Sequence, residues 1–470
     1  MRNQKSICLF ALLFVAFCAK ANISLPGIFG DHMVLQQDTV VTIWGWGKPN
    51  EVVKITGSWE PEKTYTIKVN SSSCWSLDVE TPKAGGPFQL SITGYNSILL
   101  DDVLIGEVWL GSGQSNMEWT PGAGIENGEV EISLATYPEI RFFNVPTSTA
   151  SAPQQLITGE WVVCTPETMK NFSAVLYFFG RDLHQKLGVP VGLINSSWGG
   201  TPIEIWMPES RVSGDRWLDQ FAGMLKPVPW GPVVPGVAYN AMIHPLVPFR
   251  IKGALWYQGE ANVDHPEQYT RALKALVDSW RDAWGIDFSF YYVQIAPFAG
   301  YGPDNVRGAM LRDQQRMAMK LIDKSGMVVI SDIGNLRDIH PKNKIDVGKR
   351  LSAWSFTHDY GVTGMPFSGP LFSSCVWEPG KITVYFDCAE DGLSSGGDPL
   401  KEFQVMDEAG SWLDAEAVIE GHTVVVESPV ANPHGLRYAY HNDSNPNLFN
   451  GAGFPASCFE IQRKPINQKP

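Results

Sequence analysis

Between about residues 101 and 360, short apolar runs alternate with longer stretches of helical spacing, and this alternation constrains the fold more than any other feature of the chain. The apolar runs are Val103–Leu110, Val189–Ile194, Gly253–Tyr257, Phe290–Ile295 and Met327–Ile330. The helical stretches are Phe172–Leu187, Pro266–Trp284, Arg307–Ile322 and Ile345–His358. In the second of these, Tyr269, Leu273, Leu276 and Trp280 recur on one helical face, and Pro266 suits a first turn. Strands that alternate with helices of this length predict an α/β domain built on a mainly parallel, doubly wound sheet. The segment from 200 to 250, rich in Trp, Pro and Gly, reads as an irregular insertion or active-site loop.

Either side of this region the period changes. Val40–Trp46, Val52–Thr56, Tyr65–Val69 and Phe88–Ile92 alternate apolar and polar residues between Gly, Pro, Asn and Ser clusters, as in a small β-sandwich. Lys381–Phe386, Phe403–Met406 and His422–Glu427 do the same near the end of the chain. A length of 470 residues also calls for more than one core. The expected organisation is a leader at 1–21, an N-terminal β-sandwich domain at 22–100, an α/β domain at 101–362 and a C-terminal β-rich domain at 363–470.

The leader is read from charge and length. Arg2 and Lys5 precede an apolar run, Ile7–Phe17, that is too short to span a bilayer, and Ala19-Lys20-Ala21 is a small-x-small cleavage site. A secreted or periplasmic protein without membrane insertion is expected. Five Cys remain beyond the leader, an odd number without a CxxC, which excludes a tidy zinc or redox motif. An oxidising compartment would allow one disulfide, for instance within the C-terminal cysteines, and the sequence leaves the pairing open. A net charge of −13 argues against nucleic acid as a partner. Seventeen Trp nudge the expectation toward a sugar ligand, although tryptophans also fill cores.

The chemistry is sought where the strands end, because ligands of open α/β sheets bind beyond the carboxyl ends of the strands. Val103–Leu110 runs into Gly111-Ser-Gly-Gln-Ser-Asn-Met-Glu-Trp119, a glycine turn that exposes a hydroxyl and makes Ser115 a candidate nucleophile. A serine needs a base. His340, in Asp338-Ile-His-Pro341, lies just beyond Met327–Ile330 and so at the same edge. Pro341 biases His340 toward an extended backbone, in which residues two apart share a side, so Asp338 is placed to orient the imidazole. Two further loops leave strand ends. Asn195-Ser-Ser-Trp-Gly-Gly-Thr201 offers backbone N–H groups at Gly199 or Gly200, and Gln258 follows Trp256-Tyr257. With the Ser115 N–H these groups would form a three-donor oxyanion hole. Gln114, Asn116, Gly200 and Glu260 lie on the same loops and are the candidate substrate contacts. Metal and phosphate motifs are absent, so neither metal nor cofactor is expected. Glu118 and Glu260 as a glycosidase carboxylate pair would leave Ser115, His340 and the glycines without work.

These motifs resemble the sialate O-acetylesterases of the SGNH-hydrolase superfamily. The resemblance rests on Leu25–Gln37, Trp44-Gly-Trp46, Gly106–Trp119, Ser197–Glu204, Trp256-Tyr-Gln-Gly-Glu260, Asp338–Pro341, Leu436–Tyr440 and Asn447–Asn450. It implies a three-layer α/β/α SGNH domain flanked by β-sandwich regions, and a metal-independent carbohydrate esterase that removes O-acetyl groups from sugars, most readily the 9-O-acetyl of sialate. By position it implies Ser115 as nucleophile, His340 as base, and Gly199 and Gln258 as oxyanion donors. The superfamily places its acid three residues before the histidine, and here that residue is Arg337. Asp338 is the nearest carboxylate, Asp332 is a second candidate, and a Ser–His dyad is the third arrangement. An acetylxylan or other hemicellulose acetylesterase would share every catalytic residue. A glycan-binding protein without catalysis would have no use for the Ser–His pair.

Overall fold

The computed structural model describes residues 22–302 and 304–463, so the leader expected at 1–21 lies outside the described residues. A seven-strand path forms the central sheet. In spatial order it runs Ser325–Val328, Ser289–Val293, Gly253–Tyr257, Ser97–Gly113, Val191–Ser197, Tyr137–Asn144 and Trp161–Cys164. Every pairing along it is parallel except the last, between Tyr137–Asn144 and Trp161–Cys164. The last two strands were not apparent from the sequence, since neither forms a continuous apolar run. The strands at the middle of the sheet are buried on both faces, as parallel strands covered by crossover helices must be.

Alternate side chains feed two different cores. On Gly253–Tyr257, Ala254 and Trp256 join a core that holds Leu273, Leu276 and Trp280 of helix Tyr269–Trp284. Leu255 and Tyr257 join a second core with helix Ala174–Leu187 and helix Lys344–His358. Helix Ala174–Leu187 begins where the Ser173 hydroxyl caps the Leu176 N–H, and it ends on Gly188 at φ +66°. The expected strands and helices of this region are all present, with ends displaced by a few residues.

The passage from the N-terminal β region into the central sheet has no linker. Strand Ser97–Gly113 is 17 residues long. Its first half pairs with Gly85–Thr93 and Val34–Gln36, and its second half with Val191–Ser197 and Gly253–Tyr257. Residues 100 and 101 are therefore consecutive positions in one strand, and Val41, Ile43, Val53 and Ile92 share a core with Trp256 and Trp280. The C-terminal region differs. Two four-stranded antiparallel sheets enclose a core of their own, which includes Ile382, Val384, Val405, Leu436, Tyr438 and Phe459. It touches the central unit through polar contacts, such as Gly308 N–H donating to Asn442 Oδ1 (2.7 Å) and Gln294 Nε2 to Ser457 Oγ (2.9 Å). Cys74, Cys164, Cys375, Cys388 and Cys458 are all unpaired, so the disulfide that the sequence left open is not formed. Among the described residues no helix is long and apolar enough to cross a membrane.

Candidate active site

Strand Ser97–Gly113 organises the site through its register. Gly113 lies beside Ser197 on one side and Tyr257 on the other, so three loops leave the sheet together. The chain turns at Gly113 with φ +134°, and a Cβ there would stand 2.2 Å from the Tyr257 carbonyl oxygen. Only glycine fits. Residues Ser115–Glu118 then form one helical turn, secured by the Ser173 hydroxyl donating to the Met117 carbonyl (2.6 Å).

This turn presents Ser115 Oγ at 2.9 Å from His340 Nε2, across 225 residues of sequence. The imidazole stacks on Trp119, with ring centroids 4.3 Å apart. Asp338 reaches the His340 loop, but mainly through the backbone. Its Oδ1 accepts from the His340 N–H at 3.0 Å and stands 3.6 Å from Nδ1, beyond hydrogen-bond distance. Asp332 is not available, because both its oxygens are held by Arg350 (2.7 and 2.6 Å). Burial pulls the His340 pKa below its ordinary value, and the Lys344 ammonium adds to this against the opposing pull of Asp338. The imidazole is therefore neutral at pH 7, the form that can accept a proton from a hydroxyl.

The two amide donors expected beside Ser115 are placed very differently. Gly199 lines the cleft, where its N–H donates to Glu118 Oε2 at 2.7 Å. Burial pushes the Glu118 carboxyl up, while this N–H pulls it back. Gln258, in contrast, is fully buried and does not reach the cleft. Its Nε2 donates to the Thr201 carbonyl (3.0 Å) and to Asn262 Oδ1 (2.8 Å), while its Oε1 accepts from the Tyr269 hydroxyl (2.8 Å). The amide has no hydrogen left for an oxyanion, so the expectation for Gln258 is corrected: it braces the loop after Tyr257.

The candidate substrate contacts also divide. Gln114 lines the cleft, and its Oε1 accepts from the Ala261 N–H at 3.1 Å. Gly200 lines it at φ +71°. Asn116 is withdrawn from this role because it is 1% exposed with both ends of its amide occupied. Its Nδ2 donates to Glu260 Oε1 (2.6 Å) and the Ile339 carbonyl (3.0 Å), and its Oδ1 accepts from Lys344 Nζ (2.7 Å). Glu260 borders the cleft, but one of its oxygens is spent on Asn116. Burial raises its carboxyl and lowers the Lys344 ammonium to about 7. Lys344 was not found by sequence reasoning. Its only signal was an unexplained cation four residues after His340 at a helix start. Among the described residues no cluster of three His, Cys, Asp or Glu side chains is arranged to hold a metal ion.

A mixed α/β fold with a hydrogen-bonded serine and neutral histidine in a cleft at the carboxyl ends of its parallel strands defines a hydrolase of carboxylic esters. Residues 105–354 match the family model described as carbohydrate esterase, sialic acid-specific acetylesterase, and the chain belongs to that family. It is 34% identical to the sialate O-acetylesterase of Homo sapiens over 387 residues, 73% of this chain and 72% of that protein. The Pongo abelii sialate O-acetylesterase matches at 34% over 385 residues, with the same two coverages. Among solved structures, a carbohydrate acetylesterase from Xanthomonas citri superposes with a TM-score of 0.86 at 35% identity, covering 94% of this chain and 99% of that one.

Proposed function

We propose that this enzyme removes O-acetyl groups from sugar hydroxyls through an acetyl-enzyme on Ser115. The observation that carries the reading is the 2.9 Å contact between Ser115 Oγ and a His340 imidazole held neutral by burial. Ser115 Oγ attacks the acetyl carbonyl carbon as His340 Nε2 takes the hydroxyl proton. The oxyanion forms beside the Ser115 N–H, which as a first-turn amide has no helical partner, and the Gly199 N–H, which Glu118 must release. Collapse expels the sugar oxygen, which takes the proton from His340. A water then repeats the sequence on the acetyl-enzyme and frees acetate. Asp338, at 3.6 Å from Nδ1, assists electrostatically, so the pair works as a Ser–His dyad with a nearby carboxylate.

We read the central unit as an SGNH-type α/β/α domain with β-sandwich flanks, and the composition of residues 1–21 supports export. Acetylated sialic acid is the substrate that the relatives' names suggest. Ser115→Ala should lower kcat on 4-nitrophenyl acetate by about 10⁴-fold or more. Near-normal hydrolysis by this variant would end the assignment, and acetate release from O-acetylated sialic acid against acetylated xylan would decide the sugar.

A further inference from the structure

Beside the serine cleft lies a second cavity of about 580 Å³, as large as the cleft itself at about 570 Å³. The two share the walls formed by Gly200, Trp230, Glu260, Ala261 and Ile339, so they adjoin. Trp230 stands at the junction. Its side of the irregular insertion leaves it 61% exposed, a large apolar surface to keep in water. Yet it is held in place. The Trp198 indole N–H donates to its carbonyl (3.1 Å), and its ring lies so close over Gly200 that a Cβ there would meet it at 2.3 Å.

The cavity wall also carries polar side chains, those of Lys226, Asp264, His265 and Arg307. Phe221 and His265, in edge contact at 5.6 Å, complete a second aromatic side. Flat apolar rings beside polar side chains match a pyranose, which has C–H faces and a rim of hydroxyls.

We propose that this cavity is a subsite for the sugar adjoining the acetylated one, with Trp230 as its stacking platform, so that the enzyme prefers chain-bound to free acetylated sugars. This rests on the sugar-esterase reading above. The adjoining ring lies against Trp230, with its hydroxyls toward the polar side of the cavity formed by Lys226, Asp264, His265 and Arg307. The reaction is unchanged; the subsite adds binding energy to the glycan.

The test compares kcat/KM within two substrate pairs: O-acetylated sialyllactose against free O-acetylated sialic acid, and acetylated xylotriose against acetylated xylose. On the pair it turns over, the wild-type enzyme should favour the chain-bound member by tenfold or more. Trp230→Ala should bring that ratio close to one, mainly through KM. Val233→Phe, which narrows the cavity from a wall outside the serine cleft, should do the same. A wild-type ratio near one, or a preference that survives in both variants, overturns the subsite. If neither pair is hydrolysed while 4-nitrophenyl acetate is, the sugar-esterase reading itself has failed.

Discussion

Ser115 and Asn116 leave the same turn in opposite directions and enter two unlike layers of the site. The front layer, with Ser115, His340 and Gly199, faces the cleft and keeps its groups free to change partners. The rear layer, with Asn116, Lys344 and Glu260, is held by fixed contacts: Asn116 bonds to both of the others and to the loop that carries His340. Chemistry needs the first kind of environment and precision needs the second. The rear layer holds together three segments far apart in sequence, those of Ser115, Glu260 and His340. It does so with buried charged groups, which are costly to keep unless they are paired.

The largest expected effects break the front layer. His340→Ala should cost about as much as Ser115→Ala, about 10⁴-fold or more in kcat, because the two act as a unit. Asp338→Asn should cost no more than about tenfold, against the ~10⁴ lost when a fully engaged triad carboxylate is removed. A loss near 10⁴ in Asp338→Asn would show that the 3.6 Å gap closes in the working enzyme.

Lys344→Met breaks the rear layer and should lower kcat by about 10- to 100-fold, as supporting contacts of a first layer do. It should also move the pH profile. His340 must be neutral to act, so activity rises with pH through its pKa, and Lys344 helps to hold that pKa down. Without the cation the pKa rises, and the acid limb of kcat/KM should shift to higher pH. Lys344→Arg should restore the limb in part. If Lys344→Met lowers the rate with an unmoved profile, the cation serves packing alone.

The same contrast explains how far the sequence could be read. Period and strand-end position located Ser115 and His340, because a glycine turn after a buried run and a His-Pro after another are local signals. Gln258 sits at an equally prominent strand end, yet which way a side chain points after its strand depends on what surrounds it. Here Thr201, Asn262 and Tyr269 claim it, and two of these, Thr201 and Tyr269, lie 57 and 11 residues away in sequence. Asn116 was misread for the same reason, its partners being 144 and 228 residues away. The run through residue 100 hid a continuous strand because the period changes midway, as one end is half-exposed and the other buried on both faces. Trp230 lies in an insertion with no period at all.

Gln258→Ala then separates bracing from catalysis. A braced loop should lose about 1–3 kcal/mol of stability, seen as a lower denaturation midpoint, with less than tenfold lost in kcat. An oxyanion donor would show the reverse: unchanged stability and a kcat reduced by about 10²–10³.

The smallest expected effect lies in the front layer, at Glu118. Its carboxylate occupies the Gly199 N–H that the oxyanion needs, and it places negative charge where negative charge develops. Both features oppose the reaction, and both are weakened when the carboxylate becomes an amide, since hydrogen bonds to ionised acceptors are about twice as strong as neutral ones. Glu118→Gln should therefore raise kcat/KM about two- to fivefold at pH 7. The gain should shrink as pH falls, because burial already favours the protonated form of Glu118 and acid brings the wild type toward the same neutral state. A fall in rate at every pH would mean that the charged carboxylate is required to set the Gly199 loop, and would move Glu118 from the layer that changes partners to the layer that holds.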